Sequence, residues 1–156
     1  MRAWALVLLV LATALPAGGA PAGESDTDQL LALHRIVLEA HLTGNIDLLL
    51  RDESDDYVLV SRGEISTPTK AERRKQLGAY LAGTDFEIYR DEMPPKVRVS
   101  DDGTLGWVIV QVTARGLQKE SNGPGKTITF TSGWIELYEK REGRWLRTGN
   151  VSNFKP

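Results

Sequence analysis

Helical periodicity in the first part of this 156-residue chain and strand patterning in the rest predict an α+β fold, with N-terminal helices packed on a curved antiparallel sheet. Two further observations support that class. Thr127 to Ser152 reads as two β-rich runs joined at Arg141-Glu142-Gly143-Arg144, a long hairpin with aromatic residues at its closed end. Leu105 to Arg115 alternates, with Val108, Val110, Val112 and Ala114 on one side and Trp107, Ile109, Gln111, Thr113 and Arg115 on the other.

The first segment is expected to be a secretory signal peptide, residues 1–22. Basic Arg2 precedes the apolar run Ala5 to Leu15, and a small-residue region follows from Pro16 to Gly23. The run is about eleven residues, well short of the ~20 that cross a bilayer. Cleavage is placed after Ala22, because the competing site after Ala20 has Pro21 directly behind it. Residues 23–156 then form a single domain, and about 134 residues can bury one adequate core. With no cysteine, export brings no disulfide framework and no lipid anchor. The expected location is the periplasm or the medium, with no membrane contact after cleavage. A net charge of -2 gives no broad positive field, so nucleic acid is not an expected partner.

Within the domain, Ser25 to Asp28 offers capping side chains, and Leu30, Leu31, Leu33, Val37, Leu38 and Leu42 recur at helical spacing, predicting a helix over 27–42. At about 100° per residue, His34 and His41 fall inside that apolar stripe. Thr43-Gly44-Asn45 ends this helix and caps a short one, Ile46 to Leu50. Asp52 to Asp56 reads as a solvated acidic turn, since it lacks the glycine and distant glutamate of a calcium loop. Tyr57 to Val60 is a strand, with a short second strand at Glu64 to Ser66. Thr69 and Glu72 form a capping box opening a helix over 69–82, on which Arg73-Arg74-Lys75 is expected to be a solvated face. Strands then run over Phe86 to Arg90, Lys96 to Ser100, Leu105 to Arg115, Thr127 to Lys140 and Arg144 to Ser152. Asp102-Gly103 and Glu142-Gly143 mark tight turns, and Ser121 to Gly125 a looser one.

Helices can cover only one face of such a sheet, yet both faces of the Leu105 strand carry large apolar groups. A homodimer through the second face is therefore expected.

The order helix, short helix, strand, helix, then long antiparallel strands closing on Gly143-Arg144-Trp145 resembles the nuclear transport factor 2-like superfamily. Gly133 through Trp145 is similar to the penultimate strand, turn and final-strand tryptophan of its SnoaL-like and ketosteroid-isomerase-like branches, and Val151-Ser152-Asn153-Phe154 to their closing segment. The resemblance implies a cone-shaped domain whose sheet wraps around a helix to leave a cavity, frequently as a dimer. Members range from isomerases and cyclases to non-catalytic binders. Ketosteroid-isomerase-like chemistry would need a base and acidic donors for an enolate, and here Glu136 and Gln111 stand in place of an aspartate and tyrosine donor pair.

The expected ligand-binding residues are His34, His41, Tyr57, Trp107, Trp134, Glu136 and Tyr138, with a small, partly apolar molecule as partner. Trp134, Glu136 and Tyr138 alternate on one strand and share a face. If the turn at 141–144 holds an even number of loop residues, Trp145 and Arg147 join that face and Arg147 can pair with Glu136; a bulged odd loop sends them to the other. No catalytic set is assigned, although a pocket histidine could act as an acid or base. No cofactor is expected: Asn122 to Gly125 joins two strands and lacks the helix N-terminus that cradles phosphate. Nor is a metal, because His34 and His41 lie about 10 Å apart along their helix. A domain whose outer face serves only assembly is the third reading.

Overall fold

A computed structural model describes residues 24–120 and 123–154. The expected signal peptide, and Ser121 and Asn122 of the looser turn, lie outside the described residues. In chain order the elements are α1 (Asp26–Thr43), α2 (Ile46–Leu50), β1 (Glu53–Ser61), β2 (Glu64–Ser66), α3 (Lys70–Ala82), β3 (Thr84–Asp91), β4 (Lys96–Val99), β5 (Leu105–Gln118), β6 (Lys126–Arg141) and β7 (Arg144–Phe154). Among the described residues no helix is long and apolar enough to cross a membrane.

Local chemistry accounts for the element ends. Ser25 caps α1 by accepting from the Asp28 amide, and Gly44 closes it in the left-handed region at φ 64°. At α3 the Thr69 and Glu72 side chains bond each other's backbone amides, completing the capping box. The β6–β7 turn has two loop residues, Glu142 at φ 52° and Gly143 at φ 77°, both positive as a twisted two-residue hairpin requires.

All the described strands join one sheet in the order β2-β1-β7-β6-β5-β3, with β4 following β3 along the same edge of β5. The sheet is not wholly antiparallel, because β1 pairs parallel with β7. That pairing corrects the reading of Asp52 to Asp56. Glu53 and Ser54 are buried residues at the start of β1, and Glu53 lies beside Arg147 of β7. An acidic run gives no sign that one of its carboxylates will meet two buried arginines.

The core lies between α1 and the concave face of the sheet. Leu30 of α1 and Val108, Val110, Val112 and Ala114 of β5 belong to one cluster with Phe86, Tyr89, Trp134, Tyr138 and Trp145. A second cluster, Val37, Ala40, Leu49 and Leu81, joins α1 to α2 and α3. Asp26 ties the start of α1 to the sheet by accepting from Trp145 Nε1 at 2.9 Å and from Lys140. Gly106 allows the helix to sit this close, since a Cβ there would stand 2.6 Å from Leu30 Cδ1.

Candidate functional site

Where α1, α3 and the sheet diverge, a cavity of about 260 Å³ remains. His41, Tyr57, Tyr89, Trp134, Glu136 and Arg147 line it and are buried, whereas Gln76 of α3 is exposed and Leu59, Leu77 and Ser152 are half-buried. The opening therefore lies between α3 and the ends of β1 and β7, and the floor is β6.

The floor follows from strand alternation. Trp134, Glu136 and Tyr138 all point inward. Glu136 is fully buried and accepts three bonds: from Trp134 Nε1 at 2.9 Å, Tyr138 OH at 2.7 Å and His34 Nδ1 at 3.1 Å. The other His34 nitrogen, Nε2, donates to Asp91 Oδ1 at 2.9 Å. Burial works against charge on both groups. For His34 the two carboxylates outweigh it and raise the pKa above 6.5; for Glu136 the hydrogen bond and charge of His34 outweigh it and hold the carboxyl below its ordinary range. A carboxylate oxygen at each ring nitrogen favours the imidazolium form of His34 and supplies the partners that its inward position demanded.

His41 behaves in the opposite way. Nδ1–H donates to the Val37 carbonyl at 2.7 Å, and the ring stacks on Tyr89 at 4.1 Å and 10°. Burial in this aromatic setting lowers its pKa to about 4, so it is a neutral imidazole at pH 7. Burial also pushes the Tyr57 hydroxyl up to about 12.

The third polar group joins β1, α3 and β7. Arg73 grips Glu53 through Nε at 3.1 Å and Nη2 at 2.5 Å, and Arg147 Nη2 donates to the same carboxylate at 2.7 Å and to the Leu49 carbonyl at 2.9 Å. The Arg73 guanidinium lies 4.1 Å over the Tyr57 ring. Arg73 is therefore buried, not part of the solvated face expected for Arg73-Arg74-Lys75. Its spacing from Leu77 and Tyr80, four and seven residues on, is the signal that places it on the inner side of α3. Arg147 does share the face of Tyr138, its cross-strand neighbour, as an even turn requires. Its ion pair is with Glu53 and not with Glu136, because the parallel β1 strand sets Glu53 directly beside it. A register shift after Tyr138 leaves Thr148 as an extra residue in β7, which turns Asn150 and Ser152 inward opposite Glu136 and Trp134.

Of the seven residues singled out from sequence, His41, Tyr57, Trp134 and Glu136 line the cavity. His34 and Tyr138 stand behind it as donors to Glu136. Trp107 is on the convex face, paired across strands with Arg98 and Leu137, because β5 alternation puts it opposite to Val108. Sequence reasoning passed over Tyr80, Tyr89 and Phe130 in the cavity wall, because a lone aromatic residue reads equally well as core. Among the described residues no group of three or more histidine or carboxylate side chains is arranged to hold a metal.

Neither a protein-family model nor a curated protein matches the sequence. Solved structures do match the fold. A putative calcium/calmodulin dependent protein kinase II association domain from Xanthomonas campestris is 23% identical, covering 92% of this chain and 94% of its own, with a TM-score of 0.59. A ketosteroid isomerase-like protein from Erwinia carotovora atroseptica is 17% identical over 84% and 98%, TM-score 0.68. A nuclear transport factor 2-like superfamily protein from Salmonella enterica is 11% identical over 84% and 92%, TM-score 0.69. This chain has the nuclear transport factor 2-like fold.

Proposed function

We propose that this domain is exported, self-associates as a homodimer and holds a small, partly apolar molecule in its cavity. The observation that carries the reading is the cavity itself. Domain interiors are close-packed, yet here about 260 Å³ stays open, walled by Tyr80, Tyr89, Phe130 and Trp134 and bordered by a few fixed polar groups. Flat apolar walls with sparse, oriented polar groups are the usual composition of a small-molecule site. Two titratable groups of the cavity wall are held away from neutral pH. An acid or base works best with a pKa near the working pH. His41, lowered to about 4, stays neutral, and Glu136 is held as an anion by three donors.

The convex face supports the dimer. Val60, Val151, Ile135 and Ile109 form one row across β1, β7, β6 and β5, and Trp107 and Leu137 stand beside it. Ile109, Leu137 and Val151 are exposed. A second copy of the same face would cover a continuous apolar strip. Export is supported by the basic, apolar and small-residue segments before Glu24.

The test is mass spectrometry of the protein, secreted from its own host and kept native, to detect both oligomer and co-purified ligand. A dimer that carries a small molecule, released by Trp134→Ala and not by Leu137→Asp, is expected. A monomer refutes the dimer. A ligand-free protein that also binds nothing from a small-molecule library refutes the cavity reading.

A further inference from the structure

We infer that the molecule taken into the cavity carries an anionic group, a carboxylate in the simplest case, that docks on the guanidinium of Arg147. The inference rests on the cavity being a binding site and adds the chemical class of what it binds.

Arg147 is 6% exposed and forms part of the cavity wall. Both hydrogen bonds of its guanidinium leave from Nη2, to Glu53 and to the Leu49 carbonyl. Its Nε is buried and has no partner. A guanidinium presents five N–H donors in a fixed fork, and buried donors are seldom left unpaired. Both hydrogens of Nη2 are spent on Leu49 and Glu53, so Nε–H is open to a single acceptor, and a carboxylate oxygen makes the strongest such bond to a guanidinium.

The carboxylates around the cavity are all engaged elsewhere. One carboxylate, Glu53, serves two buried guanidiniums, Arg73 and Arg147. His34, Arg73 and Arg147 balance Glu53, Glu136 and Asp91 in number, so what is unmet at Arg147 is a hydrogen bond and not a charge. The second anion in the wall, Glu136, is already committed: its oxygens accept from His34, Trp134 and Tyr138, and the His34 imidazolium opposes its charge. Asp91 is engaged by the other side of the same imidazole. Among the described residues no side chain accepts from Arg147 Nε, so the acceptor comes from what enters. Asn150 and Ser152, turned inward by the β7 bulge, add small polar groups next to Arg147 on the same strand. Tyr89 and Trp134 supply ring surface for the rest of the molecule. The arrangement suits a flat monocarboxylate with its acid end on Arg147.

The experiment is calorimetric titration of residues 23–156 with benzoate, 4-hydroxycinnamate and indole-3-acetate, each beside its primary amide, at pH 7.5 and low salt. At least one acid is expected to bind about 10- to 100-fold more tightly than its amide, the range for a hydrogen bond to a charged group. Arg147→Lys, which keeps a charge but removes the Nε donor, should weaken the acid at least about tenfold and leave the amide unchanged. Equal binding of acid and amide overturns the inference while leaving the cavity a binding site. Unchanged acid binding by a folded Arg147→Lys protein overturns it as well. If none of the six compounds binds, the cavity reading falls and this inference with it. Should Arg147→Lys fail to fold, judged by circular dichroism, the acid-to-amide ratio of the unaltered chain decides.

Discussion

Replacing Glu136 by glutamine tests the polar centre of the domain with almost no change in volume. Glu136 has no exposed surface and accepts three hydrogen bonds, one from an imidazolium. Glutamine keeps one acceptor oxygen for His34 and Trp134 but loses the charge. A hydrogen bond to a charged group contributes about 1.5–3 kcal/mol, so a large part of that is lost at His34. The amide nitrogen also takes the place of the oxygen that accepts from Tyr138, at about 1 kcal/mol more. The total, about 3 kcal/mol, falls at the low end for breaking a buried pair by altering one partner. For a domain of this size that corresponds to a drop in Tm of about 10 °C. Urea denaturation at pH 7 measures the loss, and NMR titration of His34 should show its pKa falling, because the charged acceptor that raises it is gone. A double-mutant cycle with His34→Asn should return a coupling of at least about 1 kcal/mol. A loss under about 1 kcal/mol with an unchanged His34 titration would refute the clamped-imidazolium description.

The two histidines should also give stability opposite pH limbs. His41 titrates at 6.5 when unfolded and at about 4 when folded, so its contribution is lost as pH falls below 6.5, by about 2 kcal/mol at pH 5. His34 is raised, so its contribution is complete below 6.5 and is lost as pH rises through its folded value. Urea midpoints across pH 5–8 should peak near 6.5, and His41→Phe should flatten the acid limb; an acid limb of the same steepness in that variant would count against a buried neutral His41. At the helix–sheet contact, Gly106→Ala puts a methyl 2.6 Å from Leu30 Cδ1 and should cost about 1–3 kcal/mol. Pairing it with Leu30→Val should recover part of that loss in thermal unfolding, whereas strictly additive losses would place the strain elsewhere.

Sequence by itself determined what local chemistry determines. The Thr69 and Glu72 box, the Glu142-Gly143 turn and the inward positions of His34 and His41 depend on residues within a turn or two of one another, and each was legible from spacing. The alternation that put Trp134, Glu136 and Tyr138 on one face is equally local. Tertiary structure decided what depends on strands meeting. The parallel pairing of β1 with β7 took Glu53 out of an apparent acidic turn and gave it to Arg147, and α3 brought Arg73 to the same carboxylate. The bulge at Thr148 turned Asn150 and Ser152 into the cavity. Residues separated by up to 94 positions make these contacts, and a periodicity of two or 3.6 contains no information about which distant strand will lie alongside.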